Sequence, residues 1–182
     1  SEHFLVSTTM ILLITGNGKG KTTAAIGHGV RVVGNSKRVL MLQFLKSKSW
    51  PTGEEEAIKK FGKQFELIKG GKGFVGIMGD KLPFVVHKKA AEETLNKAKK
   101  AIFSKKYNLI ILDEVNVALS LKLIKLKDVL ALIKKLPKDT DLILTGRYAP
   151  KELIKVSDIM TECREIKHPY NKGVQGKKGR EY

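Results

Sequence analysis

The stretch Met10-Ile-Leu-Leu-Ile-Thr-Gly-Asn-Gly-Lys-Gly-Lys-Thr-Thr-Ala24 joins an apolar run to a glycine-rich turn and then to residues of helical character. Met10 to Ile14 is long enough for a strand buried on both faces. The turn Thr15 to Thr22 lies between that strand and a helix expected over residues 23–33, the setting that a phosphate-binding P-loop requires. Gly16, Gly18 and Gly20 let the backbone curl so that several N–H groups face one polyanion. The start of the helix adds roughly half a positive charge from its dipole. Lys21 brings a full charge to the terminal phosphates, and the Thr22 hydroxyl is suited to ligate Mg²⁺. Thr15 stands where the common pattern has a glycine.

Further apolar strands are expected at 38–44, 64–69, 107–113, 141–145 and 159–166, with helices at 54–61, 83–104, 121–136 and 150–156. Strands and helices alternate, so the fold class is α/β: a P-loop NTPase of the RecA-like kind, with a mostly parallel six-stranded sheet, helices on both faces and right-handed crossovers. Ligands of such sheets bind at the carboxyl ends of the strands, where the P-loop, Asp113-Glu114 and Gly146-Arg147 all fall. Leu109 to Asp113 has the form of a Walker B strand ending in a carboxylate, which can hold Mg²⁺ opposite Thr22. Asp113 and Glu114 are neighbours and leave a strand on opposite sides, so both are assigned to the metal and nucleotide site with their roles undivided. Arg147 is a candidate to face the phosphates. Residues 70–79 hold five glycines around Phe74, Val75, Ile77 and Met78, a loop expected to move unless a ligand packs on it.

The 182 residues fit one α/β domain over 10–182, with 1–9 an extension outside the fold. A single cysteine, Cys163, excludes an internal disulfide and suits a reducing cytoplasm. No apolar run reaches the length of a membrane span. His87 and His168 lack metal-ligand spacing. The net charge of +17 comes mostly from lysines scattered over helices, and the sparse aromatics do not interleave with them. A base-stacking platform is therefore absent from the pattern, and nucleic acid is not an expected partner. To this point the residues specify a Mg²⁺–nucleoside triphosphate enzyme or switch and name no acceptor.

Several blocks, in order, resemble the P-loop type of ATP:cob(I)alamin (corrinoid) adenosyltransferase. They are Thr15 through Ala25, Gln43-Phe44-Leu45-Lys46 with Trp50-Pro51-Thr52-Gly53-Glu54, Leu112-Asp113-Glu114, Leu144-Thr145-Gly146-Arg147, and the tail from Glu165 to Tyr182. Thr15 matches this family's form of the loop. The resemblance implies that Co(I) of a reduced corrinoid attacks the ribose C5′ of ATP, forming a cobalt–carbon bond and releasing triphosphate. It implies that Thr15, Gly16, Asn17, Gly18, Lys19, Gly20, Lys21, Thr22 and Thr23 bind the nucleotide, with Thr22 and Glu114 or Asp113 at Mg²⁺ and Arg31 and Arg147 nearby. Lys21, Thr22, Glu114 and Phe74 are the implied catalytic residues. Phe74 resembles an aromatic that closes the lower face of the corrin and displaces its axial ligand; Gly76 stands where the family often has a second aromatic. Residues 167–182 resemble a mobile tail covering the site. A homodimer and an acidic, flavodoxin-like electron donor are also implied; the cytoplasmic location is expected from the lone cysteine and the lack of a membrane-length apolar run.

Two other readings share the P-loop. A nucleic-acid-stimulated RecA-like ATPase releases ADP and orthophosphate, and a nucleotide-gated switch binds ATP with little turnover.

Overall fold

A computed structural model describes residues 9–77, 79–167 and 179. Six strands form one sheet: β1 (Ile11–Thr15), β2 (Val39–Gln43), β3 (Phe65–Lys69), β4 (Leu109–Asp113), β5 (Asp141–Thr145) and β6 (Ile159–Glu162). Their order is β3-β2-β4-β5-β1-β6, and every pair is parallel. The central strands are short runs of Ile, Leu, Val and Met because both of their faces are covered.

Alternation along each strand divides the core into two layers. Leu12, Ile14, Val39, Met41, Leu109, Ile111 and Ile143 face α1 (Lys21–Gly34) and α2 (Gly53–Lys59) through Ala25, Val33 and Ile58. Leu13, Leu40, Leu42, Ile110, Leu112, Leu142 and Leu144 face the other layer. That layer holds α3 (Phe84–Ser104), α4 (Val115–Ser120), α5 (Leu126–Ile133) and α6 (Lys151–Val156). The expected α/β sheet with helices on both faces is what forms, and it is parallel throughout.

Two stretches depart from the sequence reading. The helix expected over 121–136 is confined to α5, Leu126–Ile133, and a short helix that was not expected, α4, precedes that range. Glu114 adopts φ 61, ends β4 and opens α4 at once, and Val115, Ala118 and Leu119 make its buried stripe. Lys122, at φ 58, turns the chain again before α5. The strand expected over 159–166 stops at Glu162, because the next residues leave the sheet edge to pair with the glycine-rich loop. Of the tail 167–182, only Lys167 and Gly179 fall within the described residues, as does only Thr9 of the extension 1–9. Among the described residues no helix is long and apolar enough to cross a membrane.

Candidate functional site

Between the end of β1 and the start of α1, the loop 16–20 folds against the chain that follows β6. The Gly18 N–H donates to Cys163 O at 2.7 Å, the Cys163 N–H to Thr15 O at 2.8 Å, and the Glu165 N–H to Asn17 Oδ1 at 3.1 Å. A Cβ on Gly16 would sit 2.3 Å from Cys163 O, and one on Gly18 2.6 Å from Arg164 C. These glycines therefore allow a close backbone approach from outside the loop, a reason the sequence alone does not carry. Gly20, at φ 114, turns the chain into α1. Thr15 is buried, and its hydroxyl donates to Gly146 O at 2.9 Å, tying the ends of β1 and β5 together. That contact gives the threonine its physical reason.

Lys21 is buried at the first position of α1, and its Nζ donates to Gly18 O at 2.6 Å. Burial holds its ammonium below the ordinary lysine range; the Glu114 carboxyl opposes that shift and Arg147 adds to it. Thr22, one residue on, donates from Oγ1 to Asp113 Oδ1 at 2.9 Å. Asp113 is fully buried and also accepts from Thr145 Oγ1 at 2.7 Å and from Gln43 Nε2 at 3.1 Å. β5 lies between β1 and β4, so Thr145 stands between the P-loop strand and the carboxylate. Its hydroxyl also accepts from the Glu114 N–H at 2.9 Å.

The left-handed turn at Glu114 breaks the alternation that would send the two acids apart. Burial, and then the Asp113 charge, push the Glu114 carboxyl up to about 7, against the attraction of Lys21, Lys46 and Arg147. Two buried oxygens here have no hydrogen-bond partner, Gln43 Oε1 and Asn116 Oδ1, while Asn116 Nδ2 donates to Gly146 O at 3.0 Å. Gln43, Asn116, Thr145 and Lys46 were not among the sequence candidates. Gln43 and Thr145 close β2 and β5 with a polar residue after an apolar run, which is a readable signal. Among the described residues no three His, Cys, Asp or Glu side chains form a metal-binding group. Thr22, Asp113 and Glu114 nevertheless suit Mg²⁺, which takes one or two carboxylates and completes its shell with phosphate oxygens and water.

Other sequence candidates are dispersed. Lys19 and Thr23 are exposed at the mouth of the loop. Arg147 is exposed after β5 and close enough to influence Lys21 and Glu114. A cavity of about 490 Å³ opens there, with Thr15, Asn17, Arg147 and Tyr148 in its wall. A groove of about 590 Å³ between α3 and α5 touches none of the candidates. Arg31 is not brought to the loop: it lies exposed in the last turn of α1, ten residues past Lys21, about 15 Å along the axis.

Phe74 is half exposed on the loop after β3, four strand spacings from β1, about 19 Å across the same sheet rim. The segment after β2 occupies the interval. Its Leu45 and Lys46 carbonyls accept from the Gly73 and Gly71 N–H groups at 2.8 and 3.1 Å. Buried Lys69 fastens it from below, with Nζ 2.6 Å from both Trp50 O and Glu55 Oε2.

Residues 7–182 match the family model described as ATP:corrinoid adenosyltransferase BtuR/CobO/CobP. A corrinoid adenosyltransferase of Sinorhizobium sp. is 35% identical over 175 residues, covering 95% of this chain and 80% of the relative. The corrinoid adenosyltransferase of Escherichia coli K12 is 30% identical over 173 residues, covering 95% and 85%. Among solved structures, the flagellar accessory protein FlaH of Methanocaldococcus jannaschii superposes with a TM-score of 0.56 at 11% identity, over 85% of this chain and 70% of that one. A KaiC-like protein of Pyrococcus horikoshii gives 0.53 at 18% identity, over 94% and 75%. At those identities the two structures speak to the fold alone, and they support the RecA-like P-loop architecture. With its family model matched over nearly the whole length, the chain belongs to the ATP:corrinoid adenosyltransferase family.

Proposed function

We propose that this chain moves the 5′-deoxyadenosyl group of ATP onto the Co(I) centre of a reduced corrinoid, with the residue roles that follow. The observation that carries the reading is one rim with two chemically different ends, both inside the matched family region. A polar end holds Lys21, Thr22, Asp113 and Glu114. The other end carries Phe74 and Ile77, both exposed on the loop after β3.

In the reaction the cobalt electron pair forms the Co–C5′ bond as the C5′–O bond breaks, and triphosphate leaves with the bonding pair. No proton need be removed from the nucleophile. Lys21 exchanges its contact with Gly18 O for the phosphates and offsets the charge that grows on the leaving group. Thr22, Asp113 and Glu114 would hold Mg²⁺, which supplies charge neutralisation on the triphosphate when bound. Asp113 receives three side-chain hydrogen bonds and keeps Thr22 aimed. Lys46 and Arg147 add positive charge near Glu114. Phe74 offers an aromatic surface to the corrin face. The rest is positioning, since C5′ must come within near-attack distance of the metal. The net charge of +17 suits an acidic, flavodoxin-like electron donor. A cytoplasmic homodimer belongs to the same reading.

Incubation with ATP, Mg²⁺ and chemically reduced cobalamin tests it. Adenosylcobalamin and intact triphosphate should appear in equal amounts, and neither without the corrinoid. ADP and orthophosphate with no alkylated corrin would overturn it.

A further inference from the structure

The loop that carries Phe74 is tied down at two ends by different means. Its first residues borrow carbonyls from the segment after β2, as described above. Its last residues gather on one carboxylate. Asp80 Oδ2 accepts from the Gly76 N–H at 2.8 Å, and Asp80 Oδ1 accepts from the Leu82 N–H at 3.0 Å. His87 Nε2 lies 2.9 Å from Asp80 Oδ2. His87 is in the first turns of α3, with its side chain only 1% exposed, and that of Asp80 is 8% exposed.

Between the two anchors the chain runs through Gly73 at φ 106, Gly76 at φ 68 and Gly79 at φ 81, with one turn bond of its own, from the Asp80 N–H to Ile77 O at 3.1 Å. Yet the segment holds apolar side chains in water. Phe74 is 50% exposed and Ile77 60%, with Leu82, Phe84 and Val85 exposed beside them. Among the described residues of the segment, Val75 turns inward to the core. A glycine-rich loop free of tethers would collapse those side chains onto the protein. The Gly76 and Leu82 amides also hold the Asp80 carboxyl below its usual range, so the hub is an anion at neutral pH and its hydrogen bonds are charge-assisted.

We infer that Asp80 and His87 are positioning residues for the corrinoid half of the reaction. By clamping the Gly76 amide to the start of α3, they hold Phe74 and Ile77 outward, where a flat apolar macrocycle can lie on them. The inference rests on the reading that Phe74 meets the corrin. It adds two residues that need not touch substrate, and it assigns them no part in triphosphate binding, which lies across the sheet rim.

The test uses the full chain with cob(II)alamin and Mg²⁺·ATP. Electron paramagnetic resonance reports whether the lower axial nitrogen still coordinates cobalt. His87→Leu removes the donor to Asp80, whereas His87→Gln keeps an N–H at similar reach. For H87L we expect ATP affinity within twofold of wild type, at least a fivefold smaller fraction of cobalt freed of its lower base, and at least a tenfold slower adenosylation of cobalamin. These rates are read from the Co(II) state with a chemical one-electron reductant supplied, and cob(II)inamide, which has no intramolecular base to displace, should lose less than threefold. H87Q should recover to within threefold of wild type. Asp80→Asn should behave as H87L and carries the test if H87L fails to fold. An H87L protein that binds ATP normally and frees the lower base as well as wild type would overturn the inference. So would equal losses of ATP affinity and cobalt signal. Either result leaves the proposed reaction standing; that reading fails only if the wild-type protein makes no adenosylcobalamin.

Discussion

The Thr22 hydroxyl donates to Asp113 Oδ1 at 2.9 Å, joining the first turn of α1 to the end of β4 across 91 positions of sequence. The carboxylate accepts the hydroxyl proton in a hydrogen bond and thereby fixes where the oxygen offers its lone pairs. Thr22→Ser keeps that oxygen and should retain Mg²⁺·ATP affinity within about threefold. Thr22→Ala should weaken it at least tenfold, about 1.4 kcal/mol, read by titration calorimetry with and without Mg²⁺. Equal affinities for the two variants would separate Thr22 from the cation.

Lys21→Ala removes the charge nearest the leaving group. If that charge is felt chiefly in the transition state, adenosylation should fall by about 10²–10³-fold, the usual range for one lost electrostatic contact. Single-turnover measurement with saturating ATP isolates the step. A near-normal rate would take the P-loop lysine out of the mechanism.

Glu114 makes stability depend on pH in an unusual direction for an acid. Its carboxyl is pushed up to about 7 in the folded chain, from an ordinary 4.5. The folded state therefore binds this proton more tightly than the unfolded one. The group's contribution is fully present below about 4.5 and is lost as pH rises through 7. The loss amounts to roughly 3 kcal/mol by pH 8. Glu114→Gln should accordingly be more stable than wild type at pH 8, with the difference vanishing near pH 4.5. Urea denaturation of the ligand-free protein across that range provides the measurement, and a pH-independent difference would contradict it.

Gly18→Ala places a methyl 2.6 Å from the Arg164 backbone. Neither the loop nor the segment after β6 has a flexible side chain there to yield. We expect a loss of about 1–3 kcal/mol in chemical denaturation, together with weaker ATP binding. Unchanged stability would mean that the 163–165 segment can leave the loop at little cost.

How much of this the residues announce depends on whether the signal is local. The P-loop, the parallel sheet and the Asp113 strand are legible because each is a short run with its own grammar: apolar, then glycine, then a polar terminus. α4 is not legible, since Asp113-Glu114 looks like the start of a loop and the left-handed turn at Glu114 depends on its surroundings. The end of β6 is missed for a related reason. Ile159 to Ile166 alternates as a strand should, but Cys163 to Glu165 meet the glycine loop instead of a neighbouring strand. Arg31 is named by the resemblance and not by a local pattern, and α1 carries it to the helix end away from the loop. The Asp80–His87 pair falls outside any period, because seven residues span a loop and a helix start.

The bond from Gly18 to Cys163 makes the phosphate loop and the last described stretch of chain a single mechanical piece. One consequence concerns transplantation. A glycine loop copied from another nucleotide enzyme would arrive without its own back wall, and the chain after Cys163 would have nothing to register against. Exchanges of carboxyl-terminal regions among relatives should therefore succeed when residues 16–18 travel with 163–165, and fail when the two are parted.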